Sequence, residues 1–154
     1  MNRFARTPAR RRRMPRGQAV VEFALVAPWF FLLLFGIVEA GRFMLYYETL
    51  NNATREGARY AIVNGANTLG CPTGPPAPGS IGCDTTGANV AQKVKDSAFG
   101  VLGSGVAVTP TWDPDNARGS TVTVAASYTY RSLVPLVPLP DITVQAESSL
   151  VVNN

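Results

Sequence analysis

Apolar and polar positions divide the chain into stretches of different period. From Gln18 to Glu39 the residues are almost wholly apolar, and no charge interrupts Phe23 to Val38. With Ala19 to Val21 the run reaches about 20 residues, enough at 1.5 Å per residue to cross a hydrocarbon core of about 30 Å. This predicts one membrane-spanning helix. Beyond it Phe43, Tyr46, Leu50, Ala53, Gly57 and Ala61 recur at helical spacing, with Glu48, Asn52, Arg55 and Arg59 on other faces. No Pro lies between Arg42 and Val63, so the amphipathic part continues the same helix as a rod of about 70 Å. Asn64-Gly65 is the expected stop, with Gly65 available for a left-handed cap.

Thr68 to Gly87 carries Pro72, Pro75, Pro76 and Pro78 among several Gly and predicts irregular structure, with Cys71 and Cys83 bracketing its centre. Ala88 to Leu102 places Val90, Val94, Ala98, Val101 and Leu102 on one face and Gln92, Lys93, Lys95 and Asp96 on another, a short amphipathic helix. Three segments then alternate with period two: Val106, Val108 and Trp112; Val122 to Tyr130; and Ile142 to Val152. Asp113-Pro114-Asp115-Asn116 with Gly119 is turn chemistry. Leu133 to Pro140 is too rich in Pro for a central strand and reads as an extended crossing loop. The fold class expected is α+β: a long N-terminal membrane-spanning helix packed on a small antiparallel sheet, with one short extra helix.

Charge changes the picture of a basic protein. The 154 residues, a length for one domain, hold 14 Lys and Arg against 10 Asp and Glu, a net of +4. Seven arginines lie before Gly17, so Met1 to Arg16 carries +7 and the remainder −3. A domain of net −3 is no phosphate-binding surface, and nucleic acid is excluded as a partner. The arginines instead orient the helix: Arg10 to Arg13 and Arg16 precede it and only Arg42 follows closely, which keeps the N terminus cytoplasmic. The organisation expected is a basic leader over 1–17, a transmembrane helix over 18–41 and an extracytoplasmic domain over 42–154. In that oxidising compartment Cys71 and Cys83 are expected to form a disulfide, worth about 3 kcal/mol in the chain-entropy model.

Candidate chemistry is sparse. The chain has no His, which removes the usual catalytic triads, an imidazole base and His-bearing metal sites, and two Cys cannot complete a structural zinc site. No nucleophile elbow, phosphate loop or metal-ligand spacing occurs in residues 64–154. Asp113 and Asp115 have the composition of a turn more than of a cation site. The expectation is no catalytic residue, metal or cofactor, and no enzyme.

The most informative residue is Glu22, a carboxylate near the start of an apolar helix, where it calls for a partner. It stands five residues after Gly17, which ends the basic leader, and is followed by Phe23 and the apolar run. This setting resembles the processing site of type IV prepilins and related pseudopilins. The resemblance implies cleavage between Gly17 and Gln18 by a membrane prepilin peptidase on the cytoplasmic side. The new amino terminus of Gln18 would then lie one helical turn from Glu22, which can neutralise it in its own chain or in a neighbour; the plainer reading is a Glu22 that snorkels to the interface.

Two further blocks occur in order: Gly36-Ile-Val-Glu39-Ala-Gly41-Arg42, and Asn52-Ala-Thr-Arg55-Glu56-Gly57-Ala-Arg59-Tyr-Ala61. Together the three blocks resemble the TadE-like family of minor pseudopilins from tight-adherence (Flp, type IVb) pilus systems. The resemblance covers about Gly17 to Ala61. It implies a single-pass protein of the bacterial inner membrane that works in pilus assembly, and hence in surface adhesion, with other pseudopilins and the pilus assembly machinery as partners.

Ala53, Gly57 and Ala61 form a small-residue stripe that seats either the protein's own sheet or another backbone. Arg55 and Arg59 form a basic ridge for docking a partner, with Glu56 in reach of Arg59 at i,i+3. Pro28 predicts a kink or local unwinding near Ala24. The competing reading of the whole is a secreted or plainly anchored protein whose signal peptide ends near Ala40, where Val38 and Ala40 occupy the small-residue positions. The length of the apolar run, Glu22 within it and the helical period crossing Ala40 stand against it.

Overall fold

The computed structural model describes residues 17–76, 82–133 and 140–153. The leader before Gly17 and residues 134–139 of the predicted crossing loop lie outside the described residues. Five elements follow in order: α1 at Gln18–Val63, α2 at Ala88–Leu102, β1 at Ala107–Asp113, β2 at Thr121–Tyr130 and β3 at Ile142–Val151. The α+β class, the long apolar first helix, the short second helix and the three-stranded antiparallel sheet agree with the periodicities. The chain divides into two compact units, Met1–Ile37 and Val38–Asn154.

In the first unit the described part is the opening of α1. Phe23, Leu25, Trp29, Phe30 and Leu33 are all exposed, the surface that a helix presents when lipid is its solvent. By length and composition this part of α1 can cross a membrane. The helix runs through Pro28 without interruption. The unwinding expected near Ala24 is therefore absent, since the loss of one N–H removes one ladder bond and leaves its neighbours intact.

The second unit contains the rest of α1, α2 and the sheet. The strands form an antiparallel meander in the order β1-β2-β3. Pro110 has no N–H to give and stands on β1, an edge strand, opposite Val124. Alternation along β2 turns Val122, Val124, Ala126 and Tyr130 inward, while Thr121, Thr123, Ala125 and Ser127 stay on the other face. The inward face meets Leu50, Ala53, Ala58 and Ala61 of α1 and Val90, Val94, Ala98 and Leu102 of α2 in one core. Val101, expected on the buried face of α2, is exposed instead, because the last turn overruns the surface that covers Leu102.

Small residues bring the two helices and the sheet together. A Cβ on Gly57 would collide with the Val94 side chain and touch Val124 at 3.6 Å and Val90 at 3.7 Å. The Ala53–Gly57–Ala61 stripe thus seats the protein's own α2 and β2. Glu56 beside it pairs across to Lys93 of α2 at 3.7 Å, not back to Arg59 as the spacing suggested, since the approach of α2 supplies a second cation.

α1 stops where Asn64 folds back, its backbone and side-chain N–H groups both reaching the Tyr60 carbonyl, at 3.1 and 2.9 Å. This side-chain cap replaces the left-handed Gly65 expected there; among the described residues the left-handed glycines are Gly74, Gly87, Gly103 and Gly119. Gly74 and Gly87 hold the irregular segment against the sheet, because a Cβ on either would strike the Trp112 ring. Cys71 and Cys83 are joined in a disulfide. Next to it Asp84 accepts from the Ala88 and Asn89 N–H groups at 2.8 and 2.7 Å, satisfying two open donors of α2 and placing a negative charge at its N-terminal end.

Candidate functional site

Two places on α1 carry the residues of interest, one in each unit. Gly17 forms the turn before the helix and its carbonyl accepts from the Val21 N–H at 3.2 Å, making Gln18 the first helical residue. Gln18, Val21, Glu22 and Leu25 then line one shallow concavity with Gly17, so Glu22 and Gln18 share a face one turn apart. Phe23 points to the exterior. Among the described residues no atom lies within 4 Å of the position of a Cβ on Gly17, so nothing packs where a side chain at position 17 would stand.

The second place is built on Glu39, a residue that sequence reasoning quoted within a block but gave no role. Its side chain is buried, and a buried carboxylate is tolerated only when its oxygens are satisfied. The Tyr130 hydroxyl donates to Oε1 at 2.7 Å and lies 3.3 Å from the Glu39 carbonyl. The Leu133 N–H donates to the same Oε1 at 3.1 Å, and Arg42 Nη1 reaches Oε2 at 3.2 Å. Arg42 in turn donates through Nη2 to the Tyr46 hydroxyl at 3.1 Å and lies over the Tyr46 and Tyr130 rings, 5.5 and 5.6 Å from their centroids. Phe43 meets Tyr130 edge-on at 5.5 Å.

The arrangement is a latch between α1 and the end of β2: one carboxylate receives the Tyr130 and Ser132 hydroxyls and the Leu133 amide from one part of the chain and the Arg42 guanidinium from another. Its one local signal is a charge just after a long apolar run with Arg three residues on. Tyr130, 91 residues away, leaves no signal at all. Burial and, after it, the bond to Glu39 push the Tyr130 phenol from 10.0 up to about 12. Because the folded-state value is raised, the contribution of this group to stability is complete below pH 10 and is lost as pH rises through about 12. A tyrosinate absorbance titration is expected to show one tyrosine ionising after the others, at the pH where the fold is lost, and Tyr130→Phe is expected to remove that last step.

The remaining candidates are quickly placed. Arg55 and Arg59 are both exposed on α1. Asp115 serves its own turn: it accepts from the Ser120 hydroxyl at 2.6 Å and the Ala117 N–H at 2.9 Å, and these bonds hold its carboxyl below the usual range. Among the described residues no group of three or more His, Cys, Asp or Glu is disposed to hold a metal ion.

No curated protein and no solved structure matches this chain. A family model described as TadE-like protein matches residues 17–59. The match begins at Gly17 and takes in Glu22, Glu39, Arg42, Arg55 and Arg59. It stops before the disulfide, α2 and the sheet. Over the segment that holds Gly17, the apolar run and the latch carboxylate, the chain therefore matches the TadE-like protein family, the one its sequence blocks resemble.

Proposed function

We propose that this chain is a TadE-like minor pseudopilin of a tight-adherence (Flp, type IVb) pilus system. In this reading α1 anchors it in the bacterial inner membrane, with the N terminus cytoplasmic and the folded domain outside. A prepilin peptidase cuts after Gly17, and the mature protein acts without enzymatic activity in pilus assembly and hence in adhesion. The carrying observation is the coincidence at Gly17. There the family match begins, the next residue starts α1, and among the described residues no contact requires a glycine. A requirement external to the fold, such as passage of an extended backbone through a protease cleft, accounts for it.

The chemistry after the cut is electrostatic. Removing the leader takes away seven arginines and leaves an amino terminus on Gln18 at the edge of the apolar layer. Glu22, on the same face, neutralises that amine in its own chain or in the adjoining subunit, which turns an isolated membrane charge into an assembly contact. Arg55 and Arg59, exposed on the side of α1 away from its own core, are the docking ridge for other pseudopilins or the assembly machinery. Cleavage near Ala40 is the less favoured reading, because it would remove Glu39 and leave Tyr130, Leu133 and Arg42 without their shared acceptor.

Deletion of the gene in its own bacterium is expected to abolish surface pili and adhesion. The full chain restores both; Gly17→Val and Glu22→Ala variants do not. An Arg55→Ala/Arg59→Ala double variant accumulates normally but supports fewer pili. Unchanged piliation in the deletion strain would overturn the reading, and unchanged piliation in the double variant would remove the docking role.

A further inference from the structure

The sheet of the Val38–Asn154 unit has one face in use and one free. Val122, Val124 and Ala126 turn inward to the helices. Alternate residues turn the other way, and among the described residues no element covers them. A shallow concavity of about 340 Å³ on that outer face is lined by Ala107, Thr109, Ala125, Ser127, Gln145 and Glu147. All but the two on β3 are short, which leaves room for a further layer along the strands.

Charge says what that layer is. Among the described residues the ion pairs join Arg42 to Glu39, Lys93 to Glu56 and Arg131 to Asp141. Arg55, Arg59 and Glu147 enter none of them, and all three are exposed. They also stand on opposite sides of the unit. Ala53, Gly57 and Ala61 turn the buried side of α1 toward the sheet, which puts Arg55 and Arg59 on its far side, whereas Glu147 projects from the outer face of the sheet. Two cations and a carboxylate that suit each other therefore cannot meet within one chain.

Between two chains they are level. A Cβ on Gly57 would lie 3.6 Å from the Val124 side chain, and the next residue of β2, Ala125, pairs with Glu147. Arg55 and Arg59 are each two residues from Gly57, about 3 Å of helical rise. A second copy displaced across the sheet without rotation thus brings its ridge over the concavity at the height of Glu147. Such a displacement keeps all copies in one orientation, as chains held in one membrane require, and a contact between unlike faces does not close on itself.

We propose that the outer face of the sheet in one copy seats α1 of a second copy, Glu147 accepting from the Arg55 and Arg59 guanidiniums, in a head-to-tail contact that repeats from copy to copy. The proposal deepens the pseudopilin reading and rests on it, naming the surface that receives the docking ridge.

Disulfide trapping of the full chain in its own bacterium tests this with the ridge, Glu147 and the Cys71–Cys83 disulfide kept. Asn52, exposed about one turn before the ridge, and Gln145, exposed beside Glu147, come level in the same displacement. The Asn52→Cys/Gln145→Cys chain is expected to give an oxidant-dependent ladder of dimers and higher multimers that neither single variant gives. Adding Glu147→Arg is expected to weaken the ladder about tenfold or more, and adding Arg55→Glu and Arg59→Glu to that chain to restore it. A ladder that Glu147→Arg leaves unchanged, or dimers from a single variant, which join like faces, would overturn the contact. No ladder from chains that are cut before Gln18 and support pili would overturn it and leave the pseudopilin reading intact. A ladder in a bacterium whose deletion strain still forms pili would uphold the contact and overturn that reading instead.

Discussion

Replacing Glu39 by alanine is expected to destabilise the Val38–Asn154 unit by about 3 kcal/mol, measured by chemical unfolding of the detergent-solubilised chain. Four donors lose one acceptor: the Tyr130 and Ser132 hydroxyls, the Leu133 N–H and Arg42 Nη1. A buried donor left unpaired costs about 1–3 kcal/mol, and a guanidinium left without its carboxylate adds to that. Glu39→Gln keeps an oxygen for Tyr130 but loses the charge, so a loss of about 1 kcal/mol is expected. The order of the two variants is the diagnostic result. Equal losses would mean that the charge carries the interaction, and no loss in either would mean that the latch is dispensable.

Gly57→Ala is expected to cost about 1–3 kcal/mol, the range for overpacking a filled core, and Gly57→Leu to prevent folding. The added Cβ meets Val94 head-on with Val124 and Val90 close behind. Intrinsic helix propensity acts in the opposite direction, favouring Ala over Gly by about 1 kcal/mol. The clash with Val94, backed by Val124 and Val90, outweighs that gain. A Val94→Ala change opens space at the clash, so the double variant should be more stable than the sum of the single losses predicts. Additive losses in such a cycle would show that Gly57 is not the contact between α1 and α2.

The elements were legible in the sequence because their signals are local. The uncharged run, the spacing of Leu50, Ala53, Gly57 and Ala61, the Ala88–Leu102 face and the three alternating segments each declare a periodicity within one stretch, and Cys71 and Cys83 declare a bridge once their compartment is inferred. What escaped depends on partners far along the chain. Glu39 reads as the polar end of an apolar run until Tyr130 and Leu133 are folded onto it. Glu56 reads as a partner for Arg59 until α2 brings Lys93 closer. Asp84 caps α2 from four residues upstream, a position that ordinary N-cap reading of Gly87 passes over. Val101 obeys the helical period and is still exposed, since periodicity gives direction and not the extent of the surface that covers it.

The proposed function requires that the basic leader be removed at Gly17 to leave a mature pseudopilin. Intact-mass measurement of the protein co-expressed with a prepilin peptidase tests it most directly. A product beginning at Gln18 that disappears on Gly17→Val substitution is expected. A product beginning at Gly41 would contradict it in favour of a signal peptide, and an uncut chain would contradict it in favour of a plain membrane anchor.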